Sequence, residues 1–203
     1  MLKVGLTGNI ASGKSSVASV WRDLGARIVD ADELARLAVE PGSPGLAEVV
    51  ATWGSAVLAA SGELDRAAMR ERVFRDPSAR AQLEAIIHPR VAALRDEALV
   101  QAEREGETVV VADIPLLFEV GLADDFDLVV LVDAPEAARR DRIVRDRGLS
   151  PEEAERMIAA QMPAAEKRER ADIVIDNTGT LDDLRARAAE VWEQIVRRAE
   201  VGS

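Results

Sequence analysis

The chain has 203 residues, of which 48% are hydrophobic and 31% are charged, and its formal net charge is −11. This length suits one globular domain, with room for a small inserted subdomain. The excess of carboxylates disfavours general affinity for nucleic acid or anionic lipid, since both require a basic face. The chain has no cysteine, which excludes disulfides and thiolate metal sites.

The start of the chain runs directly into a glycine-rich turn, without the long apolar segment of a secretion signal. The longest apolar runs are too short to span a membrane. We therefore expect a cytoplasmic protein without nucleic-acid or membrane partners. The sequence does not indicate an oligomeric state.

Five short segments rich in Val, Ile and Leu are predicted to be strands, at 2–7, 27–30, 108–113, 127–133 and 172–176. Most of them lack alternation between apolar and polar residues, which favours strands buried on both faces of a parallel sheet. Helical patterns lie between the strands, so the order of elements predicts a doubly wound α/β fold.

The strongest motif directly follows the first predicted strand. Residues 8–15, Gly-Asn-Ile-Ala-Ser-Gly-Lys-Ser, match the phosphate-binding pattern G-x-x-x-x-G-K-[ST] in full. The glycines allow a tight turn in which backbone N–H groups and the start of the next helix face an anion. In such a loop Lys14 reaches the β- and γ-phosphates of a nucleotide, and the Ser15 hydroxyl is placed to ligate magnesium.

Local signals mark several helix ends. The helix after the phosphate motif has an apolar face and a stop at Gly25. That face is formed by Val17, Val20, Trp21 and Leu24. Residues 150–153 match a capping box with proline at the first helical position, and Thr180 can cap the final helix.

Carboxylates follow the second and third predicted strands. Asp30 and Asp32 stand after the second strand, and Asp113 ends the third. Loops at the carboxyl ends of parallel strands surround the ligand, so we expect these groups near the phosphate motif. There a carboxylate could hold magnesium or accept a proton from an attacking hydroxyl. Alternatively, Asp30 or Asp32 only caps the helix that begins near Glu33.

The stretch from about 33 to 106 has helical patterns and no strand signal. We interpret it as a helical insertion that binds the acceptor substrate, within a single domain at 1–203 whose core covers about 1–32 and 107–203. A purely structural scaffold is the alternative. The only histidine, His88, precedes Pro89 inside a helical pattern, where a kink is expected; it either braces that kink or contacts the acceptor.

Six segments, in order along nearly the whole chain, resemble the dephospho-CoA kinase family. They are GLTG at 5–8, DAD at 30–32, HPR at 88–90, DIPLLFE at 113–119, QMP at 161–163 and DIVIDNTG at 172–179. The resemblance implies transfer of the ATP γ-phosphate to the ribose 3′-hydroxyl of dephospho-CoA, with magnesium. It also implies a nucleoside-kinase-like P-loop NTPase fold. That fold has three layers, a five-stranded parallel sheet, a helical insertion and a helical lid at about 139–170.

The resemblance also assigns site residues. It implies catalytic roles for Lys14, Arg142 and Asp32, with Asp32 as the general base. Asp30 is either the neighbour that orients this base or the alternative base. ATP would contact Ala11, Ser12, Gly13, Lys14, Ser15, Ser16, Arg142 and Asn177. The acceptor would contact Asp30, Asp32, His88, Pro115, Leu116 and Glu119. Magnesium would be held by Ser15 and Asp113. Asn9, Ala11 and Ser16 depart from the common family sequence, at positions where the motif tolerates change.

An arginine-rich stretch at 139–147 has two interpretations. A helix that places Arg142 over the site, with Arg139 and Arg145 on the same face, would neutralise charge on the moving phosphoryl group. The alternative is a solvated helix with Arg–Asp pairs. Two other functions stay open: another small-molecule kinase, or a nucleotide-binding regulator without catalysis. A GTPase is disfavoured because no Asn-Lys-x-Asp motif occurs.

Overall fold

The structure is a computed structural model and describes residues 1–201. The strands are β1 Leu2–Gly8, β2 Arg27–Asp30, β3 Val109–Asp113, β4 Leu128–Asp133 and β5 Ile173–Asp176. The helices are α1 Lys14–Asp23, α2 Ala31–Leu37, α3 Pro44–Trp53, α4 Arg66–Arg75, α5 Pro77–Arg104, α6 Glu136–Arg147, α7 Pro151–Ala159, α8 Ala164–Arg170 and α9 Leu181–Val201. Two 3₁₀ turns lie at Ser55–Val57 and Ala123–Asp125.

The five strands form one parallel sheet in the order β2-β3-β1-β4-β5, which confirms the predicted sheet. The strand β1 lies between β3 and β4, with Leu6 opposite Asp113 on one side and Val130 on the other. Because the strands are parallel, their carboxyl ends share one edge. That edge carries the loop after β1 together with the carboxylates that end β3, β4 and β5.

The chain divides into two compact units, and the first comprises residues 1–29 and the residues from Gln101 onward. Its sheet is covered on one face by α1 and α9, where Trp21 and Trp192 stack with ring centroids 5.7 Å apart. The Trp21 indole donates a 2.8 Å hydrogen bond to the Ala188 carbonyl, which satisfies its one polar group. On the other face, Gly5 leaves room for Leu117 and Phe126.

The second unit, Asp30–Val100, contains α2, α3, α4 and most of α5. It has its own apolar core of Val39, Leu46, Val49, Val57, Met69 and Ile86. Its helices begin at side-chain caps, with Asp30, Ser43 and Asp65 accepting backbone hydrogen bonds at the starts of α2, α3 and α4. An isolated antiparallel bridge joins Leu58 to Leu64.

One local prediction, the apolar face of α1, differs from the structure. Leu24 is 49% exposed, although Val17 and Trp21 of the same predicted face are buried, because α1 ends before it and Leu24 is the C-cap. The helix α5 continues through Pro89. The neighbouring Arg90 side chain donates a 2.5 Å hydrogen bond to the Ile86 carbonyl in the same turn, where proline weakens backbone pairing.

No helix within residues 1–201 is both long enough and apolar enough to cross a membrane.

Candidate active site

The phosphate motif forms the loop between β1 and α1, at the carboxyl edge of the sheet. Both of its glycines are required by close contacts. A Cβ on Gly8 would lie 2.7 Å from the Val132 carbonyl oxygen, and one on Gly13 would lie 2.5 Å from Asn177 Nδ2. Gly13 also has a φ of +101°, a conformation that other residues rarely adopt. The sequence therefore allows the close turn that the motif predicts.

The turn leaves backbone donors without protein partners. Within residues 1–201, the N–H groups of Gly13, Lys14 and Ser15 have no hydrogen-bond acceptor, whereas Ser12 N–H bonds to the Asn9 carbonyl at 3.0 Å. These donors lie at the first turn of α1, whose dipole adds partial positive charge. Such an arrangement is suited to bind an anion of phosphate size.

Side chains from distant parts of the first unit hold this loop. Asn177, just after β5, donates from Nδ2 to the Ser12 carbonyl at 2.8 Å. Arg142 of α6 donates to the Ala11 carbonyl at 3.0 Å. Ala11 itself has a φ of 59°, an unusual value for a residue other than glycine. Asn177 and Arg142, both predicted from the resemblance, thus contact the loop backbone directly.

A second set of contacts holds the beginning of the loop. The Gln161 side chain accepts a 2.8 Å hydrogen bond from Ile10 N–H, and Asn9 Nδ2 donates to the Met162 carbonyl at 3.2 Å. Gln161 and Met162 belong to a segment that resembles the family, but no role was predicted for them from the sequence. Their position in the QMP segment was the only signal, since the contacts span more than 150 residues.

Lys14 forms an ion pair with Asp113 across the adjacent strands β1 and β3. Both side chains are mostly buried, with 17% of Lys14 and 7% of Asp113 exposed. The pairing follows from the sheet register, because Leu6 lies opposite Asp113 and the loop after β1 returns Lys14 to the same edge. The cation and the carboxylate predicted for phosphate and metal binding therefore lie together.

The segment after β3 is fastened to β1. Ile114 N–H donates to the Leu6 carbonyl at 2.9 Å, and the Thr7 hydroxyl donates to the Pro115 carbonyl at 3.1 Å. Pro115 is half-buried and Leu116 is 38% exposed at the surface of the unit. Glu119 faces inward, where its carboxylate meets Lys167 and the Met162 N–H.

The three arginines predicted to share one face of α6 have different surroundings. Arg139 is buried and donates from Nε to the Ala134 carbonyl at 3.1 Å, at the start of its own helix. Arg142 reaches the phosphate loop, as described above. Arg145 is exposed and pairs with Asp146, whose pKa its guanidinium lowers. Only Arg142 among these three contacts the loop within the described residues.

Arg168 of α8 ties together the ends of two strands. Its guanidinium lies 2.6 Å from Asp176 at the end of β5 and 2.9 Å from Asp133 at the end of β4. These hydrogen bonds raise the pKa of Arg168, with the Asp176 contribution largest. The segment that carries α6, α7 and α8 is thereby anchored to the sheet edge on which the phosphate loop lies.

Three predicted site residues belong to the second unit. Asp30 ends β2 and caps α2, accepting hydrogen bonds on one carboxylate oxygen from the N–H groups of Asp32 and Glu33. Asp32 is exposed in the first turn of α2. His88 is exposed on α5. Helix capping, which was the alternative role predicted for Asp30 or Asp32, is therefore carried out by Asp30.

The oxygen donors near the loop fit a magnesium ion that binds mainly to phosphates and water. Ser15 offers an exposed hydroxyl and Asp113 a carboxylate, and magnesium commonly uses one or two such protein ligands. No group of three or more His, Cys, Asp or Glu residues that could hold a metal occurs within residues 1–201.

The comparisons with known proteins agree with the phosphate-binding site that the geometry of the loop indicates. A family model described as dephospho-CoA kinase matches residues 2–183. A dephospho-CoA kinase from Thermobifida fusca is 50% identical over 198 residues, covering 98% of each chain. A dephospho-CoA kinase structure from Campylobacter jejuni covers 95% of this chain and 96% of its own, at 27% identity and a TM-score of 0.74.

A solved structure from Thermus thermophilus is 41% identical, with a TM-score of 0.79, and covers 95% of this chain and 97% of its own. The likeness therefore includes the second unit as well as the phosphate loop. Sequence and fold agree over nearly the full length of the relatives, and the quoted motifs at 5–8, 113–119, 161–163 and 172–179 form part of the phosphate loop or contact it. The chain belongs to the dephospho-CoA kinase family.

Proposed function

We propose that this chain uses ATP and magnesium to phosphorylate the ribose 3′-hydroxyl of dephospho-CoA, giving CoA and ADP. The observation that carries the proposal is the phosphate loop. It combines backbone N–H groups at the start of α1, which have no acceptor within residues 1–201, with Lys14 and Asp113 beside them, in a chain of this family. Its proposed partners are thus two small molecules, and the net charge of −11 supports no role for nucleic acid.

The reaction forms a bond between the acceptor oxygen and the γ-phosphorus and breaks the bond from that phosphorus to the β–γ bridging oxygen. Catalysis of such a transfer is mostly positioning and stabilisation of charge on the phosphoryl oxygens. The N–H groups of Gly13, Lys14 and Ser15 would orient the phosphates, and the Lys14 ammonium would follow the charge towards ADP. Arg142, held beside the loop at Ala11, is a further cation in the first unit.

Magnesium would be held by the Ser15 hydroxyl and, directly or through water, by the Asp113 carboxylate. When bound, it would neutralise charge on the β- and γ-phosphate oxygens. The ion pair between Lys14 and Asp113 shows that both side chains reach the loop. Lys14 would contact the phosphates of a bound metal nucleotide, and Asp113 would help to hold its metal ion.

Asp32 is the proposed general base. One Asp30 oxygen is already occupied by two backbone N–H groups of α2, as expected for a helix cap. Asp32 is exposed, and within residues 1–201 its carboxylate accepts no hydrogen bond. Both carboxylate oxygens of Asp32 are therefore available to an incoming hydroxyl, whereas one oxygen of Asp30 is used by the helix cap.

A coupled assay of ADP release tests the function with dephospho-CoA, nucleosides, nucleotides and shikimate as acceptors. We expect dephospho-CoA to give the highest kcat/KM. Lys14→Ala should reduce this value by a factor of about 10² or more, with an unchanged circular dichroism spectrum. A nucleoside that outruns dephospho-CoA would instead favour another small-molecule kinase. Binding of ATP without transfer to any acceptor would favour a regulator.

The two aspartates are separated by Asp32→Asn and Asp30→Asn. We expect Asp32→Asn to lower kcat by a factor of about 10² or more, with little change in thermal stability. Asp30→Asn keeps a capping side chain, since asparagine is also a good N-cap, and should retain most of the activity. The opposite ranking of the two kcat values would assign the base to Asp30.

A further inference from the structure

Lys167 on α8 is a fully buried lysine, with 0% of its side chain exposed. Lysine is almost never fully buried unless it is paired. Its Nζ lies 2.7 Å from Glu119 Oε1. Within residues 1–201 this ion pair is its one polar contact, and the ammonium makes no hydrogen bond of favourable angle. Burying a charge is costly even with a partner, so a gain in stability alone does not explain the pair.

The same Glu119 oxygen has a second contact. Glu119 Oε1 accepts a 3.2 Å hydrogen bond from Met162 N–H, in the connection between α7 and α8. The ammonium therefore fixes a carboxylate that in turn fixes the backbone at Met162. Glu119 lies in the segment after β3, so the ion pair joins that segment to the helices that follow β4.

The turn at 161–162 is what holds the first half of the phosphate loop. Gln161 accepts from Ile10 N–H at 2.8 Å, and the Met162 carbonyl accepts from Asn9 at 3.2 Å. Asn177 and Arg142 hold the following residues of the loop. A continuous series of contacts thus runs from Lys167 through Glu119 and Met162 to the loop, entirely within the first unit.

We propose that Lys167 is a positioning residue for ATP: through Glu119 it fixes the 161–162 turn, which holds Asn9 and Ile10 so that the phosphate loop keeps its binding geometry. This rests on the proposed function only in that the loop binds ATP. A loop held in its binding conformation loses less entropy when the ligand arrives. Glu119, predicted as an acceptor contact, acts here through the loop on the nucleotide.

Two simpler roles make different predictions. If the pair only stabilises the fold, its loss lowers thermal stability but leaves the ATP affinity of the folded protein unchanged. If Lys167 acts only as a distant positive charge, replacing an uncharged residue of the series has no effect on ATP. Gln161→Ala separates these cases, because it changes no charge, leaves the ion pair intact and deletes the hydrogen bond from Ile10.

The experiment measures equilibrium binding of ATP with magnesium by calorimetry, KM values for ATP and dephospho-CoA, and the thermal midpoint. The variants are Lys167→Met, Glu119→Gln, their double mutant and Gln161→Ala. The control is Arg140→Gln, which removes an ion pair between α6 and α7 that touches neither the loop nor Glu119. We expect Lys167→Met and Gln161→Ala each to weaken ATP binding about tenfold, with the KM for dephospho-CoA changing less than about twofold.

The double mutant supplies a rescue test. The amide oxygen that Glu119→Gln introduces can still accept from Met162 N–H, and neither partner leaves an unpaired charge. The double mutant should therefore bind ATP more tightly than Lys167→Met alone. Arg140→Gln should bind ATP like the wild type. If Lys167→Met does not fold, Gln161→Ala and the double mutant decide the question.

The inference would be overturned if Gln161→Ala and Lys167→Met both fold and bind ATP with the same affinity as the wild type. Equal weakening of both substrates would overturn it too, because it would indicate general disruption of the fold. Absence of ATP binding by the wild type would instead overturn the proposed function. The two failures are therefore distinguishable in one set of titrations.

Discussion

Gly13 lies where the backbone has a φ of +101° and where an added Cβ would approach Asn177 Nδ2 to 2.5 Å. The second constraint matters for function, because Asn177 is the residue that holds the Ser12 carbonyl. Gly25 has a similar φ of +92°, but among the described residues no atom beyond its two chain neighbours lies within 4 Å of an added Cβ. The two glycines thus separate the effect of backbone conformation from the effect of crowding the loop.

We predict that Gly13→Ala lowers the free energy of unfolding by about 2 kcal/mol and abolishes measurable ATP binding, because Asn177 must move away from the loop. Gly25→Ala should cost about 1 kcal/mol, from its φ alone, and should leave ATP binding intact. Urea unfolding and ATP titration of both variants check this. Similar ATP affinity in the two variants would show that the crowding at Gly13 is harmless.

Helix boundaries in this chain are set by local side chains that could be recognised in the sequence. The capping box of α7 forms between Ser150 and Glu153 as predicted, and Thr180 caps α9. The Asp183 carboxylate completes the second cap by accepting from both the hydroxyl and the N–H of Thr180. Both hydrogen bonds lower the pKa of Asp183, and the bond from the Thr180 hydroxyl has the larger effect.

We predict that Thr180→Ala raises the pKa of Asp183 towards its ordinary value, and that Thr180→Ser leaves it low. A carboxyl with a lowered folded-state pKa stabilises the fold above its unfolded-state pKa of about 3.9. This contribution disappears as the pH falls through the folded-state value. The stability gap between wild type and Thr180→Ala should therefore be largest near neutral pH and narrow in acid. Carboxyl NMR titration and unfolding at several pH values test both statements.

Helices, strands and turns were predicted correctly where the sequence signal lay within a few neighbouring residues. The five apolar runs, the glycine-rich motif and the caps are each contained in a few neighbouring residues, and all could be read before the structure. The contact between Met162 N–H and Glu119 spans 43 residues, and no pattern along the chain marks Lys167 as its buried partner. Arg139 was expected on the face of α6 that meets an anion. Its side chain is instead buried and donates to the Ala134 carbonyl at the start of that helix.

At the scale of the whole molecule, the chain consists of two units with separate apolar cores, and the phosphate loop with its supports belongs to the first. The predicted insertion at about 33–106 and the lid at about 139–170 stay proposals as functional parts. Their roles depend on motion and on the acceptor, which no local pattern specifies. The parallel five-stranded sheet, by contrast, was predicted from the apolar runs of its strands, although their order was not.

We predict that ATP with magnesium raises the thermal midpoint of the protein. A ligand present at 100 times its dissociation constant adds about 2.7 kcal/mol to the free energy of unfolding, which corresponds to a shift of about 5 to 10 °C at this chain length. Thermal scans with ATP, with ATP and a chelator, and with adenosine check the dependence on phosphate and metal. In Lys14→Ala the shift should be lost; a shift of the same size with adenosine alone would place the binding energy outside the phosphate loop.

The N–H groups of Gly13, Lys14 and Ser15, which have no acceptor in the described part of the chain, are central to the phosphate-binding role of the loop. The most direct test is an amide NMR titration with a non-hydrolysable ATP analogue and magnesium, followed at Gly13, Lys14 and Ser15. We predict large shifts of these three resonances in the direction of stronger hydrogen bonding, absent when adenosine replaces the nucleotide. Saturating nucleotide that leaves these amide resonances unmoved would contradict the phosphate-binding role of the loop.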